Sequence, residues 1–432
     1  MTPQSQLTVI APVESARERG LRDLLATLNS TPGNANPENT VVPFASVPSI
    51  HYARFAILAD ATLGDLGAYG LPAPQRPVYL AFVVDCDGPS HHMLAELVQH
   101  AGAGLRAIFS HCADFDAEAD LLAWLLAHDR PVAASYVNWV GRTVEQIREE
   151  SNLQRALAAR LNRAALASPA DAQVRRRELI AFAQGEINEG RLRLTPPRAT
   201  PFGWRLAKLF NALLGVVLGL LALPLLILLS PLLIFMLRRR EKHDPEVCPR
   251  PDSNALTQLQ RLEDFDVTNQ YTAFGTLKPG RFRLWLASLV LSIIQYTCRH
   301  VFTRGYLARV QTIHFARWVL LDDKSRVLFT SNYDGGHQAY MDDFINKVAW
   351  GLNVIFSNGV GWPKTDWLLH RGARREELFK FFQRRHQLES QVWYKAYPGL
   401  TLANLTRNSL IRRGFQQSHM SDDEALAWLQ LL

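Results

Sequence analysis

Apolar and polar positions recur along this chain in an order that is written twice. Ile50-His51-Tyr52-Ala53-Arg54-Phe55 has the alternation of a strand, and Ile313-His314-Phe315-Ala316-Arg317-Trp318 repeats it. Each block is followed by an apolar run ending in Asp-Gly, Phe82 to Asp87-Gly88 and Phe329 to Asp334-Gly335. Each then continues into Gly-Leu-x-x-Ile-Phe-Ser, at 104–110 and 351–357. The separation from Asp87 to Gly104 equals that from Asp334 to Gly351. Three blocks in one order, two at equal spacing, point to a module present twice.

The periodicity predicts the same elements in both copies. In the first, strands are expected at 50–58 and 78–84, a helix at 89–103, a short strand at 105–109, a helix at 116–128 and a strand at 131–140. A charged helix at 144–167 follows, with helix-like sequence to 186. In the second, strands at 313–321 and 326–331 meet over Asp322-Asp323-Lys324-Ser325. A helix at 337–350, a strand at 352–356, a helix at 373–387, a strand at 391–397 and a helix at 401–413 complete it. The second copy carries an insertion around Gly359-Val360-Gly361-Trp362-Pro363.

This order predicts an α+β class, with tandem ferredoxin-like repeats packed sheet to sheet as a pseudo-dimer, because each sheet would carry one bare apolar face. The expected boundaries are an N-terminal extension at 1–40, a first repeat with trailing helices at 41–190, a membrane-associated helical insert and loop at 200–303, and a second repeat at 304–432.

Between the copies, residues 209–237 carry no charge and are mostly Leu, Val, Ile and Ala; Lys208 precedes them and Arg238-Arg239-Arg240 follows. A straight helix of that length runs roughly 43 Å, more than the ~30 Å hydrocarbon core of a bilayer requires. A single crossing would separate the two copies. Either residues 284–298 form a return helix, or 209–237 dips in and out of one leaflet, bent near Pro224 and Pro231, with 284–302 lying amphipathically in the interface. The second, monotopic arrangement keeps the basic flanks on one face and is the one expected.

Composition narrows the setting. The chain is 48% hydrophobic and 20% charged with net charge +7, which is globular and suited to an anionic lipid surface. No long basic run with interleaved aromatics suggests nucleic acid. Cys86, Cys112, Cys248 and Cys298 form no metal-like or disulfide spacing, and the N-terminus lacks a secretory pattern. The expected location is therefore the cytoplasmic face of the inner membrane, with membrane lipid and a small lipophilic substrate as partners.

Candidate chemistry lies in the repeated blocks. His51 and His314 suit ligand or acid–base work, with Arg54 and Arg317 beside them; side chains three apart on a strand share a face only if it is bulged. Asp87 and Asp334 offer general bases, or else turn residues and helix caps. His111 and Asn358 occupy equivalent positions in the third block. His337, Tyr394 and Tyr397 are cofactor-binding candidates in the second copy. Asp85, Asp87, His91, His92 and His111 are metal-ligand types without a standard spacing, so no metal is assigned. Nucleotide-binding loops and a nucleophile elbow are absent from the sequence.

The tandem pattern with single His and Asp-Gly landmarks distantly resembles the dimeric α+β barrel superfamily, which includes dye-decolorising peroxidases, chlorite dismutase-like haem proteins and cofactor-free monooxygenases. The resemblance covers roughly 41–165 and 305–415. Asp87-Gly88 and Asp334-Gly335 match the Asp-Gly of the peroxidases, without the leading glycine of that motif. A haem-ligand histidine has no counterpart. Residues 329–335 and 393–398 are also similar to uncharacterised bacterial proteins. The resemblance implies a peroxidase- or monooxygenase-like oxidoreductase, with haem as a candidate cofactor. The alternative is a non-catalytic scaffold that binds lipid or a partner at the membrane.

Overall fold

The computed structural model describes residues 2–161 and 169–432. Its first half runs β1 (Gln4–Pro12), α1 (Glu18–Ala26), β2 (Ile50–Leu58), β3 (Tyr79–Asp87), α2 (Ser90–Phe109), α3 (Leu121–Ala127) and β4 (Val132–Val137). Helices α4 (Val144–Arg160), α5 (Pro169–Asn188) and α6 (Phe202–His243) follow. The second half runs β5 (Thr268–Thr276), α7 (Arg281–His300), β6 (Ile313–Leu321), β7 (Arg326–Asp334), α8 (His337–Phe356), α9 (Glu376–His386), β8 (Ser390–Lys395) and α10 (Leu402–Gln416). The end of the charged helix expected at 144–167 lies outside the described residues.

The molecule is mixed α+β. One sheet has the order β1-β3-β2-β8 and is extended by the short strands Gly33–Ala35 and Asn29–Thr31; the other has the order β4-β6-β7-β5. The last strand of each half therefore lies in the sheet of the other half, where the sequence led us to expect each half to complete its own. The segments entering these strands also bond to the opposite sheet. Arg130 N donates to Thr8 O at 2.8 Å, Ile10 N to His128 O at 3.0 Å, and Leu388 N to Thr272 O at 2.7 Å. Backbone hydrogen bonding thus continues around all eight strands and leaves no open edge between the sheets.

Both faces of the strands are covered. Helices α1 to α3 close the outer face of the first sheet over a core that includes Leu7, Phe55, Phe82, Leu97 and Phe109. Helices α7 to α9 cover the second sheet over Trp318, Phe329, Met341, Leu352 and Phe379. Inside, Ile10, Ala56, Leu58 and Val83 of one sheet meet Phe274, Val319, Leu321 and Leu328 of the other. Every residue of β2 is buried, as expected for a strand packed on two sides.

The rest of the interior is polar and reciprocal. Arg54 crosses from β2 to the second sheet. It donates to Tyr271 O (3.0 Å), Thr272 Oγ1 (2.9 Å), Gln270 Oε1 (3.2 Å), Ser331 O (3.1 Å) and Asn332 Oδ1. Arg317 crosses from β6 to the first, donating to Leu7 O (2.7 Å), Thr8 Oγ1 (3.0 Å), Val84 O (2.9 Å) and Asp85 Oδ1. Asn332 Nδ2 donates to Asp85 Oδ2 at 3.2 Å and joins the two sets. Two guanidiniums thus share one carboxylate. Burial holds Arg54 down at about 9 despite the nearby Asp85.

Several expectations are corrected. The strands foreseen at 105–109 and 352–356 are the last turns of α2 and α8; each helix kinks, at Ala101 and Val348, and continues. Leu105, Ile108 and Phe109 are all buried, at helical spacing. The stretch read as an N-terminal extension supplies β1, and the loop foreseen after the insert supplies β5. The latter, Thr-Asn-Gln-Tyr-Thr, escapes a hydrophobicity reading because Gln270 and Thr272 solvate Arg54 instead of filling an apolar core.

The apolar insert is one helix that runs through Pro224 and Pro231. Residues 284–298 belong to α7, whose Ala287, Val290, Leu291 and Cys298 are buried in the body, so they are not a return span.

The interior predicts an asymmetry. Arg317→Met strands a buried carboxylate and is expected to cost about 3–5 kcal/mol. Arg54→Met strands a neutral amide and is expected to cost about 1–3 kcal/mol. Denaturant midpoints of the two variants test this; equal losses, or a larger loss for Arg54→Met, refute the assignment of the charge to Asp85.

Candidate functional site

A register shift between Ile50 and Tyr52, and another between Ile313 and Phe315, place His51 and His314 in matching bulges. The two rings line one small cavity at the end of the barrel, although they come from different sheets. His51 Nε2 is 2.9 Å from Asp87 Oδ1, and His314 Nε2 is 2.7 Å from Asp334 Oδ1. The second oxygen of each carboxylate accepts from a helix N-terminus: Val144 N of α4 at 2.9 Å and Leu402 N of α10 at 2.8 Å. Both helices begin with a capping box, at Thr143 and Thr401. Each aspartate thus ties its histidine to the helix that follows the exchanged strand, and the helix dipole favours the charged carboxylate.

With both imidazoles neutral, Nε2–H donates to the aspartate and Nδ1 accepts from a phenol. The phenols are Tyr397 on His51, at 3.0 Å, and Tyr52 on His314, at 3.2 Å. Their rings meet edge to face with centroids 5.4 Å apart. A buried chain Asp87–His51–Tyr397/Tyr52–His314–Asp334 therefore runs from one half to the other. Burial pushes both tyrosines well above the usual phenol range. The histidine side chains are 2% and 1% exposed and the aspartates 11% each, so only the ends of the chain touch solvent.

Arg142 closes the cavity. Its guanidinium lies 3.7 Å over the Trp139 ring, and neither terminal nitrogen has a protein partner although the residue is buried. Burial lowers it to about 10. The cavity measures about 20 Å³, room for roughly one water or a molecule of similar size. On the other side of Asp87 opens a polar cleft of about 620 Å³, lined by Gly88, His92, Glu96, Thr143, Arg148 and Arg193 among others.

Of the residues singled out in the sequence, His51, Asp87, His314, Asp334 and Tyr397 come together here. Arg54 and Arg317 lie in the interior network instead. His111 caps α2, its Nδ1 3.0 Å from Ala107 O. Asn358 accepts from Arg283 Nη1 at 3.2 Å, near the end of α6. Tyr394 stacks on Phe44 with centroids 5.1 Å apart. His337 packs on Tyr271 at the start of α8. Tyr52 and Arg142 were missed. The aromatic position of the repeated His-aromatic-Ala-Arg block pointed to Tyr52, whereas nothing in the sequence marks Arg142.

Haem does not fit this centre. Both nitrogens of each histidine are engaged, and the space between the rings is far too small for the macrocycle. Among the described residues, no three His, Cys, Asp or Glu groups converge as a metal site would need. No protein-family model, curated protein or solved structure matches the chain.

His337 carries a pH response. Its neighbour Glu263, 3.8 Å away, is already bound by Arg384 and Gln387, so burial and the cations Arg384 and Lys380 lower the imidazole from 6.5 to about 3. The unfolded chain takes up this proton near pH 6.5. The contribution of His337 is therefore complete above pH 6.5 and is lost as the pH falls from there toward 3. His337→Phe is expected to flatten the plot of denaturant midpoint against pH in that window; a slope equal to that of the natural chain refutes this.

Proposed function

We propose that the protein works at a membrane surface, with α6 submerged in one leaflet and the strand ring seated on that face. The observation that carries this reading is how α6 is fastened. It is 42 residues long, and its most apolar window is wholly exposed. Yet the same helix of the body reaches it at two places, about three turns in from its start and at its C-cap. Tyr296 of α7 donates to Ala212 O at 2.9 Å, and Arg283 of α7 binds Asp244, the residue capping α6, at 2.5 Å. Gly215 makes the first contact possible, since a Cβ there would lie 2.1 Å from the Tyr296 ring. A helix crossing the bilayer delivers its ends to opposite sides, about 30 Å of hydrocarbon apart; the two contacts, at Tyr296 and Arg283, lie within about 20 Å along α7.

The basic flanks, Lys208 and Arg238 to Lys242, suit an anionic cytoplasmic leaflet. In this reading the halves are copies of one ferredoxin-like unit joined as a strand-exchanged pseudo-dimer. The body binds a lipid or a lipid-soluble molecule drawn from the leaflet.

The topology test is labelling of single cysteines placed before α6, at Arg198, and after it, at Glu246, in sealed vesicles. The expected result is labelling of both from the same side. Labelling from opposite sides refutes the reading.

A second reading makes the protein an oxidoreductase of the cofactor-free type acting on that lipophilic molecule. It draws on the buried tyrosine pair, the unpartnered Arg142 beside a water-sized cavity, and the relay that ends at Asp87 on the cleft. Asp87→Asn cuts the relay while keeping a similar shape. It is expected to abolish turnover of a bound lipophile identified by native mass spectrometry; unchanged turnover, or no turnover by the natural chain, removes this reading and leaves the binding one.

A further inference from the structure

Directly after the inserted stretch 359–363 of the second half, the chain folds into a hairpin at the end of α6. Its strands are Thr365–Asp366 and His370–Arg371, and its tip is Trp367-Leu368-Leu369. Trp367 and Leu368 have φ of 55° and 61°, left-handed values that non-glycine residues hold only where the surroundings fix them. Two buried side chains do so. Glu241 of α6 accepts from Thr365 Oγ1 (2.9 Å), Trp367 N (3.0 Å) and Leu368 N (2.8 Å). Asn353 of α8 donates to Leu369 O (3.0 Å) and Arg371 O (3.1 Å). Arg238 then covers the Trp367 ring at 4.7 Å. The result is a rigid tip whose two large apolar side chains face outward, Trp367 54% and Leu369 42% exposed.

Nothing in the packing of the body explains an apolar tip held this firmly in solvent. Its neighbours do. It adjoins the basic end of the uncovered apolar helix, where Arg239, Arg240, Lys242, Arg371 and Arg374 are all exposed. A tryptophan and a leucine beside a ring of cations match the headgroup region of an anionic bilayer, where an amphipathic indole rests and each basic residue near the surface adds attraction.

We propose that this hairpin is a second membrane anchor, which inserts Trp367 and Leu369 into the anionic leaflet that holds α6. Glu241 makes the two one device, since a single carboxylate at the end of α6 fixes the backbone of the tip. This rests on the membrane-surface reading above and adds to it a specific contact and a preference for lipid charge.

The test uses the full chain with Cys248→Ser and an environment-sensitive fluorophore on Leu369→Cys, with Leu221→Cys on α6 as its counterpart. On adding phosphatidylglycerol vesicles, emission at both positions is expected to shift to the blue and brighten. With purely phosphatidylcholine vesicles, the shift at 369 is expected to shrink more than that at 221. Adding Glu241→Ala is expected to abolish the shift at 369 and keep that at 221. A response at 221 with none at 369 overturns the anchor and leaves the membrane reading intact. No response at either position overturns both. Equal responses at 369 to the two lipids overturn the charge preference, and an unchanged shift at 369 in the Glu241 variant overturns the coupling.

Discussion

Two guanidinium groups buried inside a closed ring of strands set the terms for the rest of this molecule. Arg54 and Arg317 each leave their own sheet and are solvated by carbonyls, a threonine and an amide or carboxylate of the opposite one. A buried cation is tolerable only when its donors are met and its charge is countered. Asp85 supplies the charge, and backbone carbonyls of β1, β3, β5 and β7 supply four of the acceptors. The sheets must therefore face each other in one register, because a slip of one residue would turn these acceptors away.

The same reciprocity is repeated at the rim. The strand that ends each half completes the other half's sheet, and the helix after it presents its N-terminus to an aspartate at the end of β3 or β7. His51 and His314 join those aspartates to two phenols between them. The polar groups of this chain are paired along its whole length, which accounts for its burial without any ligand. What the pairing leaves over is local: the terminal nitrogens of Arg142, and the outward edge of Asp87 on its cleft.

Helix α6 stands apart from this pairing. It is apolar on every side and has no polar face to present to water. The body holds it near Ala212 and at its C-terminal end, through Tyr296, Arg283 and the Glu241-bound hairpin, and leaves its middle bare. Helix α6 and the strand ring are thus mechanically continuous through α7 and α8.

The repeated His-aromatic-Ala-Arg and Asp-Gly blocks were legible in the amino-acid sequence, and so were most helices, six of the eight ring strands with near-correct limits at their starts, and the apolar insert. These are local properties: periodicity, turn residues, and a long run without charge. The recurrence of the same landmarks in both halves singled out His51, Asp87, His314 and Asp334, but that each histidine pairs with its aspartate came only with the fold. The rest was decided by contacts between residues far apart in the chain. Polarity hid β5, because its inward side chains serve a cation and not an oily core. A five-residue apolar run reads equally as strand or helix, and only the packing of Leu105, Ile108 and Phe109 on the sheet chose helix. Which sheet receives β4 and β8, and that His51, His314, Tyr397 and Arg142 meet at one cavity, depends on the closure of the ring, a property that no single stretch of the chain contains.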